Sequence, residues 1–205
     1  MPDTLRVAIV TSYFYPHLGG IATQLAALAP RLCAAGAEVH VLAPESEAAE
    51  PYAGAGVTVH PLHVRGQRLL SSSAFVYQAI AVLARVRPQV IHAHELLLPT
   101  TASVLAKPFA GAGLVVSVHT AGPELGEIAR LQRARFGHAR LAYLRTHVDR
   151  FIGVSNAIVQ EMAAVGIPDA RRTLIPNGID LNRFLPVSID SKAALRATLG
   201  LPSGA

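Results

Sequence analysis

Leu5 to Val10 is a short apolar run rich in β-branched residues; a loop holding Pro16 and the Gly19-Gly20 pair follows, and then Ile21, Leu25, Leu28 and Leu32 recur at helical spacing. The order predicts strand, loop, helix. Pro30 falls inside the helical pattern, where its missing N–H and bulky ring cost about 3 kcal/mol or kink the helix, and Gly36 supplies the stop. Val39 to Ala43 predicts a second strand and, after a loop with Glu45, Glu47 and Glu50, Val57 to Val64 a third. Ser71 to Ser73 are placed to cap a helix that runs to about Val86 and is closed by Pro88. Gln89 to His94 is then a fourth strand, Thr100 to Phe109 a short helix and Leu114 to His119 a fifth strand. A long helical region is expected from about Glu124 to His147, a sixth strand at Phe151 to Val154, a helix at Asn156 to Val165 and a last strand at Arg172 to Ile175.

Strands that are continuously apolar and alternate with helices build a parallel sheet covered on both faces. The expected fold is therefore a doubly wound, mostly parallel, Rossmann-like α/β domain. Ligands of such sheets bind beyond the carboxyl ends of the strands, which singles out Thr11 to Gly20, His92 to Glu95, His119 to Gly122 and Ser155-Asn156. The tail differs. Leu181 to Asp190 reads as a linker, and Ser191 to Pro202 as a capped helical segment ended by Gly200 and Pro202, too short to bury an apolar stripe by itself. The expected division is 1–180 as one domain and 181–205 as a linker with the first helix of a second.

Composition narrows the classes. With 51% hydrophobic and 15% charged residues in 205, the chain has the apolar area to fold, which excludes a disordered protein. The longest stretch free of Asp, Glu, Lys and Arg, Val7 to Pro30, is interrupted by Pro16 and two glycines, so it does not read as a membrane span. No basic region followed by an apolar run opens the sequence, and Cys33 is the single cysteine, so a cytoplasmic location is expected. The net charge of +5 is concentrated. Between Ile128 and Arg150, six arginines face Asp149 alone, which accounts for the whole excess. That pattern suits either a solvated helix face or an anionic partner, such as a phosphorylated substrate or acidic lipid headgroups at the inner face of a membrane. On one continuous helix, Arg130, Arg133 and Arg140 would share a stripe able to meet phosphates. Leu69-Leu70 beside Arg65 and Arg68 would fit a membrane surface or a buried helix start. Nucleic acid is disfavoured by 5% aromatic residues, no Trp and no reader motif.

Four positions offer chemistry. Gly19-Gly20 lies between the first strand and helix, where backbone can approach a ligand and a helix N-terminus favours phosphate; an ordinary tight turn is the alternative. No G-x-G-x-x-G and no G-x-x-x-x-G-K-[ST] accompany it, which disfavours dinucleotide and P-loop sites, and the Gly54 to Gly56 and Gly111 to Gly113 segments read as turns. His92 and His94 point to one strand face and Glu95 to the other, which makes a metal site awkward and leaves a buried histidine beside a cleft, with Glu95 facing an acceptor hydroxyl. His119-Thr120, ahead of Ala121-Gly122-Pro123, can bond a sugar hydroxyl or phosphate, or be structural. Ser155-Asn156 reads as a helix cap, since no G-x-S-x-G surrounds it.

Taken in order, Tyr13-Phe14-Tyr15-Pro16-His17-Leu18-Gly19-Gly20-Ile21-Ala22, Gly36-Ala37-Glu38-Val39, Val90-Ile91-His92-Ala93-His94-Glu95, Val118-His119-Thr120, Phe151 to Asn156, and Ile175-Pro176-Asn177-Gly178-Ile179-Asp180 with Phe184 resemble the landmarks of family 4 retaining glycosyltransferases of the GT-B fold. The resemblance covers almost the whole chain. It implies the N-terminal, acceptor-side domain of a two-domain enzyme that moves a sugar from a nucleotide-diphosphate sugar to an acceptor hydroxyl with retained configuration, without a bound metal or tightly held cofactor. Gly19 and Gly20 would then donate backbone N–H groups to the donor diphosphate, His119 would orient the transferred sugar, and Glu95, Thr120 and Arg140 would border the acceptor. Asn177, Gly178 and Asp180 would form the hinge. The acceptor would be a sugar, a lipid-linked sugar or a phosphorylated small molecule. The family's leaving-group residues belong to the C-terminal domain, so the chain is expected to be inactive alone. A non-catalytic sugar- or phosphate-binding or interaction domain is the competing expectation.

Overall fold

The computed structural model describes residues 4–14, 19–44, 55–64, 68–182 and 184–202. Tyr15 to Leu18, the acidic loop with Glu45, Glu47 and Glu50, Gly54, Arg65 and the side chains of Leu69 and Leu70 lie outside that description. The strands β1 (Arg6–Thr11), β2 (Glu38–Pro44), β3 (Val57–Leu62), β4 (Val90–His94), β5 (Gly113–Val118), β6 (Arg150–Gly153) and β7 (Arg172–Leu174) form one parallel sheet in the order β3-β2-β1-β4-β5-β6-β7. Between them run α1 (Gly20–Ala34), α2 (Arg68–Val86), α3 (Leu98–Ala110), α4 (Glu127–Arg133), α5 (Gly137–His147) and α6 (Asn156–Ala164), and α7 (Ile189–Thr198) follows β7. The chain winds outward from β1 in one direction and then from β4 in the other. That reversal leaves a crevice above the carboxyl ends of β1 and β4.

Strand alternation divides the core. Ala8 and Val10 of β1 join Ile91 and Ala93 of β4 under α2 and α3, with Phe75, Ala79, Leu83, Ala102 and Ala106 filling the layer. Val7 and Ile9 face the opposite side, where Leu25 and Ala29 of α1 cover Val39 and Val41. The same period of two sends His92, His94 and Ser117 to the α1 side of the sheet, because Leu114, Val116 and Val118 are committed to the other.

Several expectations need correction. The second helix begins at Arg68, so Ser71 to Ser73 lie within it and do not cap it; Arg and Leu are good helix formers and extend the helix upstream. The long helix expected from Glu124 to His147 is two helices, α4 and α5. Ala134 is extended and Phe136 left-handed (φ 60°), and the chain turns so tightly that a Cβ on Gly137 would lie 1.9 Å from the carbonyl oxygen of Leu131. The arginine stripe is therefore broken: Arg130 and Arg133 ride on α4 and Arg140 on α5. The C-terminal helix is capped by Ser188, whose hydroxyl accepts from the Ser191 N–H, so it starts earlier than expected. Other expectations hold. Gly36 adopts φ 91° just after α1, and Ser155 caps α6 by accepting from the Ile158 N–H.

Candidate functional site

Where β1 ends, Thr11 turns the chain: its buried hydroxyl donates to the Tyr13 carbonyl at 3.0 Å and accepts from the Tyr13 N–H at 3.1 Å. Across the gap, α1 starts at Gly20 with no side-chain cap, and its first intrahelical bond runs from Thr23 N–H to the Gly19 carbonyl. The amides of Gly20, Ile21 and Ala22 thus precede the helical ladder, at the positive end of a helix of 15 residues. They border a cavity of about 340 Å³, together with Gly19, Tyr13, His119, Thr120 and Asn177. Strand ends, a helix N-terminus and the segment after β7 therefore meet in one concavity. Gly19, Gly20, His119, Thr120 and Asn177, picked out separately in the sequence, share it.

The imidazole of His119 is held from behind. His94 Nδ1 lies 3.2 Å from His119 Nε2, the His92 and His94 ring centroids are 4.2 Å apart, and His92 Nε2 hydrogen-bonds the Ser117 hydroxyl at 2.8 Å. Burial pushes His92 and His119 down to about 4 and holds His94 well below the ordinary imidazole value. All three rings are neutral at pH 7. Among the described residues no group of three or more His, Cys, Asp or Glu is arranged to hold a metal ion.

A residue that sequence reasoning missed organises this corner. Glu127, at the start of α4, is buried; one carboxylate oxygen accepts from the His119 and Thr120 N–H groups at 2.7 and 3.2 Å, and the other from Leu96 N–H at 2.5 Å. Burial raises its carboxyl and those three bonds pull it back. It ties the end of β4 to the end of β5. The loop from β5 to α4 is drawn tight: a Cβ on Gly126 would fall 2.3 Å from the Gly122 carbonyl oxygen, and Gly122 N–H donates to Glu161 at 2.6 Å. An acidic residue in a helical first turn after Gly was the available signal, but its partners are 7, 8 and 31 positions away.

The remaining sequence candidates lie apart. Glu95 is buried with φ 89°; burial raises its carboxyl, Ser12 bonds it, and its Oε2 meets no hydrogen-bond partner. It is not among the residues bordering the cavity. Arg140 donates to the Thr101 hydroxyl at 2.7 Å, and Arg133 to the carbonyls of Pro123 and Glu124. Asp180 pairs with Arg31 at 3.0 Å, fastening the stretch after Asn177 to α1, while a Cβ on Gly178 would meet nothing within 4 Å.

An open parallel sheet whose switch-point crevice is lined by a helix N-terminus and a neutral imidazole defines a Rossmann-like domain with a concavity at its strand tips, the place where sheets of this kind take ligands. The chain belongs to Glycosyltransferase Family 4, whose model matches residues 18–183. It is 27% identical over 193 residues to a GDP-mannose-dependent alpha-mannosyltransferase of Mycolicibacterium smegmatis, an alignment covering 91% of this chain and 51% of that protein. In fold it is similar to the Anabaena protein HepE in complex with UDP and glucose (TM-score 0.70, 17% identity, 96% of this chain and 50% of that one). It is also similar to the catalytic domain of starch synthase IV from Arabidopsis thaliana bound to ADP and acarbose (TM-score 0.64, 19% identity, 99% and 61%). The chain spans about half the length of the mannosyltransferase it matches, and its fold is that of the N-terminal domain of a GT-B glycosyltransferase.

Proposed function

We propose that this chain forms the acceptor-side wall of a retaining glycosyltransferase that moves a sugar from a nucleotide-diphosphate sugar to an acceptor hydroxyl. The observation that carries the reading is the shared cavity: bare glycine backbone at a helix N-terminus on one side, and His119 with Thr120 on the other. Negative charge grows on the diphosphate as the glycosidic bond breaks. The amides of Gly20, Ile21 and Ala22 and the positive end of α1 stabilise that charge, which lowers the barrier because they are fixed before the reaction begins. His119, neutral, hydrogen-bonds a hydroxyl of the transferred sugar and fixes its angle to the attacking oxygen. Thr120, which lines the same cavity, borders the acceptor, and Asn177, Gly178 and Asp180 form the hinge to the second domain, which carries most of the donor and begins beyond residue 180. GDP-mannose is the first donor to try, from the sequence relatives, and UDP-glucose, with which HepE has also been solved, the second.

The excess of arginine around α4 and α5 supports a reading in which this corner faces an anionic surface at the cytoplasmic side of a membrane. The test is turnover of nucleotide sugar by the two-domain enzyme. His119→Ala should lower kcat about 10²-fold with the circular dichroism and melting temperature intact, and the 205-residue chain alone should transfer no sugar. Near-normal turnover of the variant removes His119 from the site, and transfer by the isolated chain removes the two-wall reading.

A further inference from the structure

His94 is fully buried, its Nδ1 lies 3.2 Å from His119 Nε2, and its own Nε2 is buried with no partner. Only one hydrogen fits between the two facing nitrogens. If His119 supplied it, His94 would have to carry its proton on Nε2, leaving an N–H in the core with no acceptor. If His94 Nδ1–H supplies it, what stays unmatched is a lone pair on Nε2. Buried orphan donors are the rarer and costlier case, while under-used acceptors are tolerated.

We propose that His94 is a positioning residue that donates its Nδ1–H to His119 Nε2 and so locks His119 in the form protonated on Nδ1. With Nε2 committed to the core, Nδ1 is the nitrogen left for a ligand in the cavity, and in this form it is a donor only. His119 therefore recognises an acceptor oxygen, a hydroxyl or phosphate oxygen, and does not serve as a base. His92 completes the support: fixed by the Ser117 hydroxyl, its ring packs 4.2 Å from that of His94 and stops it from turning. The depressed affinity of all three rings for protons agrees with this, since a protonated His94 would need an acceptor at Nε2 as well. The argument deepens the sugar-transfer reading, and it needs from that reading only that His119 borders the ligand.

Long-range ¹H–¹⁵N correlation spectra of the ¹⁵N-histidine-labelled chain at pH 7 report which nitrogen carries the proton on each ring. Both His94 and His119 should be protonated on Nδ1, the form free histidine disfavours. In His94→Leu, His119 should shift toward the Nε2-protonated form; in His94→Asn, whose amide can donate from near the same place, it should stay on Nδ1. The two-domain enzyme should lose about tenfold in kcat with His94→Leu, the worth of one hydrogen bond, and recover most of it with His94→Asn. A wild-type His119 protonated on Nε2, or an unchanged His119 in His94→Leu, overturns the assignment. Should His94→Leu fail to fold, the wild-type spectrum decides. Full turnover by His119→Ala would instead reject the sugar-transfer site while leaving the proton assignment standing.

Discussion

At Gly19 the backbone is fully extended (φ −179°) and Gly20 is helical, so neither position demands glycine for its conformation. A Cβ on Gly20 would meet nothing within 4 Å, and Gly20 itself borders the cavity. In the proposed reading the missing side chain leaves the helix N-terminus open to a ligand. Gly20→Ala should leave the thermal stability unchanged or slightly raised, since alanine favours the helix, while nucleotide-sugar turnover by the two-domain enzyme falls at least tenfold. Normal turnover with normal folding would assign the doublet to the turn alone. That Gly19-Gly20 and His119 sit at strand tips was legible, because apolar runs end there. Glu127 was not, because a buried carboxylate that gathers amides from two loops is defined by where the chain returns in space.

Helix α4 breaks from α5 where the apolar pattern gives no warning. Ile128, Leu131, Leu141 and Leu144 are all buried, so a single amphipathic helix and two short ones read alike along the chain. What separates them is the approach of Gly137 to the carbonyl of Leu131 and the left-handed Phe136 between. The break also changes what the arginines do. Arg133 and Arg140 are satisfied by carbonyl and hydroxyl oxygens, partners that hold the side chains without cancelling their charge. Phe136 is left 69% exposed with the Arg135 guanidinium over its ring at 4.9 Å, and Leu125 is 77% exposed. An apolar tip among cations suits an acidic lipid surface. The chain should bind vesicles containing phosphatidylglycerol better than phosphatidylcholine vesicles, lose that binding as salt rises, and bind less well as Arg135→Gln with Phe136→Ser. Salt-independent binding, or none to either vesicle, would return these arginines to solvent.

Across the whole molecule the buried histidines set a pH limit. His92, His119, His94 and His60 all sit below the ordinary imidazole value chiefly because burial disfavours their charged form. Unfolded, each takes a proton near pH 6.5 that the folded chain refuses until about pH 4 in the case of His92 and His119. Stability present above pH 6.5 is therefore lost as pH falls toward 4. Glu95 and Glu127, raised by burial, act in the opposite sense as they protonate, but they are two groups against four. The urea midpoint should drop between pH 7 and pH 5, and a midpoint that holds or rises would mean the imidazoles are not neutral in the fold.

Periodicity and glycine placement by themselves determined a doubly wound parallel sheet and the strand tips that carry its chemistry, because burial on both faces forces apolar runs and ligands need bare backbone. Tertiary structure alone decided which tips share a concavity. It gathered Tyr13 and Asn177 with His119, set Glu95 and Arg140 apart from them, and put His94 behind His119. Those relations depend on strand order and register, which place β4 beside both β1 and β5 although the paired residues are 83 and 23 positions apart in sequence.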